Sequence, residues 1–131
     1  FIYAQNTLAE DPFRQPAHEE ELACFSIDKD QAQSIEPKTE GYLGPLLFTG
    51  VKGVELSHGE HCVIPKGLYL FAQIREAPQR DLFTAMAIEV QKEGLWRRME
   101  MESRVFMRIL KEENGVVTQV LRPISSIPVQ D

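Results

Sequence analysis

The chain has 131 residues, 43% of them hydrophobic and 26% charged, which suits one domain with a full core and excludes a disordered, collagen-like or coiled-coil chain. Fourteen Lys and Arg against 20 Asp and Glu leave a net charge of -6, the wrong sign for a nucleic-acid or anionic-membrane binder. No apolar run approaches the roughly 20 residues of a membrane helix.

The first residue is Phe1, so the chain reads as a processed product or a fragment from which a targeting segment could already be gone. Cys24 and Cys62 each sit in an apolar run, Ala23-Cys24-Phe25 and Cys62-Val63-Ile64. They read as two buried, reduced thiols, which points to the cytoplasm. Phe1-Ile2-Tyr3 has the composition of a strand start. Pro12 and Pro16 then bracket a polar stretch, and His18-Glu19-Glu20-Glu21 is acidic, so 7–20 is expected to be an arm or a short helix, a candidate for packing on a partner. Leu22 to Ile27 predicts a strand ended by Asp28-Lys29-Asp30. Residues 28–41, poor in apolar side chains, predict a long loop.

Leu46-Leu47-Phe48-Thr49 predicts a short strand among Gly41, Gly44, Pro45, Gly50 and Gly53. Val54 to Ile64 reads as extended, broken at His58-Gly59-Glu60. Pro65-Lys66-Gly67 is a turn signal, and Leu68 to Ile74, rich in aromatic and apolar side chains, predicts a strand. Residues 81–93 predict the one strong helix, with Asp81 as N-cap and Gly94 as its stop. Leu82, Met86 and Val90, with Phe83 and Ala87, make its apolar side, broadened by Ala85 and Ile88.

Arg104–Lys111 and Val116–Arg122 predict a hairpin. With Asn114-Gly115 as a two-residue type I′ loop, Leu110 would lie opposite Gln119, Arg108 opposite Leu121 and Ile109 opposite Val120. One face then carries Val105, Met107, Ile109 and Val120 and takes the helix. The other carries Phe106, Arg108, Leu110, Val117, Gln119 and Leu121; this mixed face is expected to border solvent, a ligand groove or a dimer seam. Pro123 and Pro128 are expected to end regular structure. The whole reads as α+β: a curved antiparallel or mixed sheet with one main amphipathic helix on one face, a strand-helix-strand-strand module over 54–124, within a single domain 1–131.

Val63-Ile64-Pro65-Lys66-Gly67-Leu68-Tyr69-Leu70-Phe71 resembles the I-P-x-G-x-Y-x-x-F strand of GyrI-like domains, the effector-binding domains of multidrug-responsive transcription regulators and their stand-alone relatives. The following helix, Trp96 just after it, and the last strand Val117 to Pro123 are similar in order. The resemblance implies a ligand cleft between two such modules. Residues 1–53 are too short and too broken by Pro and Gly for a first module, which implies a half-unit completed by a second copy. The family's acidic residue on the last strand falls near Gln119, a neutral side chain that orients a polar ligand but neither acts as a base nor holds a cation by charge.

His58-Gly59-Glu60-His61-Cys62 contains metal-ligand types, but no second ligand pair at zinc-like spacing accompanies it, so it reads as a polar turn and no metal or cofactor is expected. On a strand His61 points away from Cys62, against a Cys–His catalytic pair. No Gly-x-Ser-x-Gly elbow, phosphate loop or dinucleotide fingerprint occurs. Arg108, between Phe106 and Leu110, needs a partner where buried, with Glu76 or a ligand carboxylate as candidates. The expectation is therefore a non-enzymatic small-molecule-binding or sensor-like domain with an apolar cleft lined by Tyr69, Trp96, Phe106, Arg108 and Gln119. The ligand would be small and apolar, the chain a homodimer, and nucleic acid and membrane no partners. The alternative is a homodimeric interaction or structural domain with no ligand. A hydrolase comes third, since no activated nucleophile can be named.

Overall fold

The structure, a computed structural model, describes residues 2–5, 11–52, 61–63 and 67–126; of 2–5 and 61–63 it describes the backbone pairing. In chain order the elements are β1 (Ile2–Gln5), β2 (Glu20–Ile27), β3 (Leu43–Lys52), β4 (His61–Val63), β5 (Tyr69–Ile74), α1 (Arg80–Trp96), β6 (Glu100–Met101), β7 (Arg104–Glu112) and β8 (Gly115–Ser126). The strands form an eight-stranded sheet in the order β4-β1-β3-β2-β7-β8-β5, with β6 pairing β8. Every pairing is antiparallel. The fold is thus α+β and dominated by its sheet. The expected extended segment 54–64 lies largely outside the described residues, as do the side chain of Cys62 and Pro128.

β4 and β5 stand at the two ends of the strand order, yet they are consecutive in the chain. A flat sheet would set them about 29 Å apart, six spacings of about 4.8 Å, while the chain from Val63 to Tyr69 spans at most about 21 Å. The sheet must therefore curl.

Alternation along the strands sorts the interior into two layers. On the first face Ala23, Phe25, Ile27, Val105, Met107, Ile109 and Val120 pack with Phe83, Ala87, Ile88 and Val90 of α1. On the second, Leu22, Cys24 and Phe106 pack with Phe48, Tyr69 and Leu121. The arm 11–18 lies on its own chain: Phe13 stacks on Phe25 at 5.4 Å and stands 6.1 Å from Phe83, and the Arg80 guanidinium covers its ring at 4.9 Å. Glu21 ties the arm down by accepting the backbone N–H groups of Ala17 and His18 at 2.7 and 2.9 Å. The core therefore reaches well beyond 54–124, with β2 between β3 and β7 as one of its most buried strands.

Several local expectations are corrected. The hairpin turn is Glu113-Asn114, with Glu112 opposite Gly115, so Arg108 faces Gln119, Leu110 faces Val117 and Phe106 faces Leu121. Gly115, at φ +140°, takes a backbone conformation closed to other residues just after the turn. The slip is two residues, and a slip of two leaves each side chain on its expected face. Pro123 does not end β8. It stands opposite Tyr69 and its carbonyl, directed to the other side, accepts from Glu102 N–H, so its missing N–H costs the β5 ladder nothing. β3 runs well beyond the short strand expected, because register shifts opposite Cys24 to Ile27 absorb the Gly44-Pro45 irregularity. Helix α1 starts at Arg80 after an N-cap Gln79 that makes no side-chain cap, and Asp81 stands in the first turn, where its charge still favours the helix N-terminus. Gly94 is no stop: α1 continues to Trp96, and a Cβ at Gly94 would come within 2.5 Å of Met101 Sδ and 2.6 Å of Leu70 Cδ1. It is there to let helix and sheet approach.

The most consequential interior group is Arg122 on β8, only 1% exposed. Its Nε donates to the carbonyl of Glu102 at 2.7 Å, Nη2 to the carbonyl of Ala32 at 2.8 Å, and Nη1 to Gln91 Oε1 at 2.9 Å and the Tyr42 hydroxyl at 3.1 Å. Tyr42 donates to Gln91 Oε1 at 2.5 Å, and Gln91 Nε2 donates to the carbonyls of Gln31 and Ser34 at 2.7 and 2.8 Å. The long 28–41 loop is thus bolted to α1 and β8. Burial lowers the Arg122 pKa, an effect tempered by Tyr42; burial raises that of Tyr42, tempered by Arg122.

Removing this cation strands several buried acceptors. Arg122→Met should cost about 3–5 kcal/mol, read as a lower urea midpoint, and Arg122→Lys should fail to restore it because an ammonium cannot reach the same divergent acceptors. Because Tyr42 is held protonated in the fold while its unfolded counterpart ionises near 10, stability should be full below about pH 10 and fall above it. In Tyr42→Phe, urea midpoints measured from pH 8 to 11 should show a shallower decline.

Candidate functional site

The second face carries a line of polar side chains across an otherwise apolar surface. The register makes it: Leu22 pairs with Arg108, Arg108 with Gln119 and Gln119 with Gln73, across β2, β7, β8 and β5. Lys52 Nζ lies 3.6 Å from Glu20 Oε2. Arg108 Nη2 donates to Glu20 Oε1 at 2.9 Å and Nη1 to Gln119 Oε1 at 3.4 Å; Gln119 Nε2 donates onward to Gln73 Oε1 at 3.2 Å. Glu20 accepts from both Lys52 and Arg108, and Gln119 accepts on one side and donates on the other, so the line has one hydrogen-bonding sense from Arg108 to Gln73.

Burial gives the line its weight. The side chains of Arg108 and Glu20 are 20% and 13% exposed, and Gln119 is buried. A half-desolvated guanidinium requires a charged or strongly polar partner. The carboxylate is Glu20, not Glu76, whose backbone carbonyl instead accepts the Thr118 hydroxyl at 2.8 Å.

Beside the line stand three rings. Phe48 and Tyr69, from strands two places away on either side, each meet Phe106, at 6.2 and 6.3 Å. Side chains converge on this face as on the concave side of a curled sheet. Phe106 is fully buried and forms a floor, with the Arg104 guanidinium 5.2 Å from its centre. Tyr69 is half-buried, and its pKa is raised by burial first, with Arg104 opposing.

The structure therefore brings Tyr69, Phe106, Arg108 and Gln119 onto one face. It does not bring Trp96 there: Trp96 ends α1 on the opposite side of the sheet, 84% exposed, beside Ile35 and Leu95. Glu20, Gln73 and Lys52 belong to the line and were not foreseen. Alternation within each strand would have placed Gln73 with Tyr69, but joining β2 to β7 requires a non-local pairing that no local pattern encodes.

The line can orient a hydrogen-bonding group on a ligand. Its carboxylate is ion-paired with Arg108 and Lys52. Among the described residues no group of three or more His, Cys, Asp or Glu is placed to hold a metal, and Cys24 is fully buried. An apolar groove of about 470 Å³ lies elsewhere, between β5 and the Ala85, Met86, Glu89, Val90, Glu93 side of α1. No helix among the described residues is long and apolar enough to cross a membrane. No protein-family model, curated protein or solved structure matches the chain.

Glu20→Leu should leave Arg108 short of its carboxylate and lower unfolding stability by about 1–3 kcal/mol. The double variant Glu20→Leu/Arg108→Leu should recover part of that loss, measured as a coupling energy in a double-mutant cycle.

Proposed function

We propose that this chain is a non-catalytic binding domain that takes a small, largely apolar molecule on the concave face. Strands β5, β7 and β8 supply most of the site, β2 adds Glu20 and β3 adds Phe48. The observation that supports the reading is the line Glu20–Arg108–Gln119–Gln73, a hydrogen-bonded set of polar groups on a surface otherwise made of Phe48, Phe106, Tyr69 and Leu121. Apolar contact would come from Tyr69, Leu121 and Phe48 over the buried Phe106. Orientation would come from the accessible edge of Arg108 and from Gln73, with Gln119 linking them.

The test uses 8-anilinonaphthalene-1-sulfonate, whose fused rings suit the aromatic wall and whose sulfonate suits Arg108. Saturable fluorescence enhancement is expected with the folded protein, weakened at least tenfold in Arg108→Met and unchanged in Met86→Gln, which alters the α1/β5 groove instead. Equal loss in both variants, or no saturable enhancement in the wild type, sinks the reading.

A further inference from the structure

β5 is an edge strand: among the described residues it pairs with β8 alone. The sense of its free edge can be read from two contacts. Ile124 N–H donates to the carbonyl of Leu68, and the Pro123 carbonyl turns away to accept from Glu102. In an antiparallel ladder a residue's N–H and C=O point to the same side, so Leu68, Leu70, Ala72 and Ile74 spend theirs on β8. Phe71 and Gln73 therefore direct theirs outward, away from the sheet.

Natural edges carry guards: a lysine, a proline, a bulge or a covering segment. β5, Tyr-Leu-Phe-Ala-Gln-Ile, has no charge and no proline, its pairing with β8 is unbroken in register, and Phe71 is 54% exposed. Beside it runs the apolar groove, floored by Leu70, Ala72 and Ile74 and walled by Met86 and Val90. An occupant that satisfies both features is an uncharged strand with apolar side chains at alternate positions toward the helix. β5 itself has that pattern.

We infer that the chain forms a two-fold dimer in which β5 pairs antiparallel with β5 of a second copy, with the axis through Ala72. Residues directly opposite must share a face, so a two-fold perpendicular to the sheet passes through a residue, not between residues. With the axis at Ala72, Phe71 and Gln73 of one copy meet Gln73 and Phe71 of the other as hydrogen-bonded pairs, using the four outward groups of these two residues on each copy. The helix-side pairs become Leu70 with Ile74, Ala72 with Ala72, and Ile74 with Leu70. All are apolar and in the closer, non-hydrogen-bonded positions, with the smallest side chain where the copies approach most nearly. Glu89 and Glu93 at the groove lip lie 3.6 Å from Lys92 and 2.8 Å from Arg97 on their own helix, so two lips meeting do not confront bare charges. The two sheets become one, with concave faces on the same side and Gln73 and Phe71 of each copy at its centre. The pairing stands on the edge geometry, independently of any ligand.

Sedimentation equilibrium at about 50 μM is expected to give twice the 14.9 kDa chain mass. Phe71→Lys, which places a guard on the edge without touching the β5–β8 ladder, should return 14.9 kDa with an unchanged circular dichroism spectrum and melting temperature measured at matched dilution below dissociation. Under mild oxidation Ala72→Cys should give a disulfide-linked dimer, since opposite Cα atoms in such a pair stand about 4.5 Å apart; wild-type protein, with its native cysteines, is the control. A monomeric wild type overturns the proposal, as do a Phe71→Lys variant that is folded and still dimeric and an Ala72→Cys variant that cross-links no more than wild type.

Discussion

A guanidinium at the end of a strand holds three parts of the chain that share no other reason to meet. Arg122 comes from β8, Gln91 from α1, and Tyr42, Ala32 and Gln31 from the long loop after β2 and its end. The partners named for Arg122 are carbonyls, a phenol and a side-chain amide. Burying such a cation is expensive, and the expense is offset only when its donors all find acceptors in the right directions. The planar fork of arginine meets that demand and at the same time fixes where the loop and the helix must lie. The loop carries few apolar side chains, so without these bonds little would order it.

The same constraint frames the first face. With the loop and α1 located, the helix approaches the sheet closely at Gly94, and Phe13 of the arm packs against both Phe25 and Phe83. Most apolar side chains of the first layer are then used in the chain's own core, while Leu70, Ala72, Ile74 and Met86 line the groove beside β5. Among the described residues the second face carries no helix. Its burial comes from curvature, which drives Phe48 and Tyr69 together over Phe106, and its polar line occupies the ground between the rings and the lower ends of the strands.

Edges and faces play different roles here. The concave face is apolar with one polar track, in which Glu20 is ion-paired with Arg108 and Lys52 and Gln119 and Gln73 continue the hydrogen bonding. The outer edge of β5 is uniform and uncharged, an arrangement that recognises backbone. One strand contributes to both, since Tyr69 and Gln73 belong to the face while the amides of Phe71 and Gln73 belong to the edge.

How much could be seen in the residues follows from the range of each interaction. Period-two alternation in Arg104–Glu112 and Gly115–Ser126, and the helical stripe of α1, are local, and they correctly assigned Val105, Met107, Ile109 and Val120 to the helix side. They did so even with the turn set one residue late, because the resulting two-residue slip in pairing preserves faces. The register itself was less legible, since Glu113-Asn114 and Asn114-Gly115 both accept a tight turn and the choice falls to packing of the whole pair. Local chemistry also misled: Asp81, Gly94 and Pro123 have the types of a cap, a stop and a breaker, but α1 starts before Asp81, Gly94 meets Met101 and Leu70, and Pro123 stands opposite Tyr69. Trp96 was drawn toward the site by its type, and the helix axis carried it away. Glu20 beside Arg108, and Gln91 and Tyr42 around Arg122, join segments from 31 to 88 positions apart. Composition and periodicity thus decided the class of fold and the sidedness of its strands, because those depend on neighbours along the chain. The polar line, the buried guanidinium and the open edge came from strand order, because the identity of a side chain says nothing about which distant backbone will lie beside it.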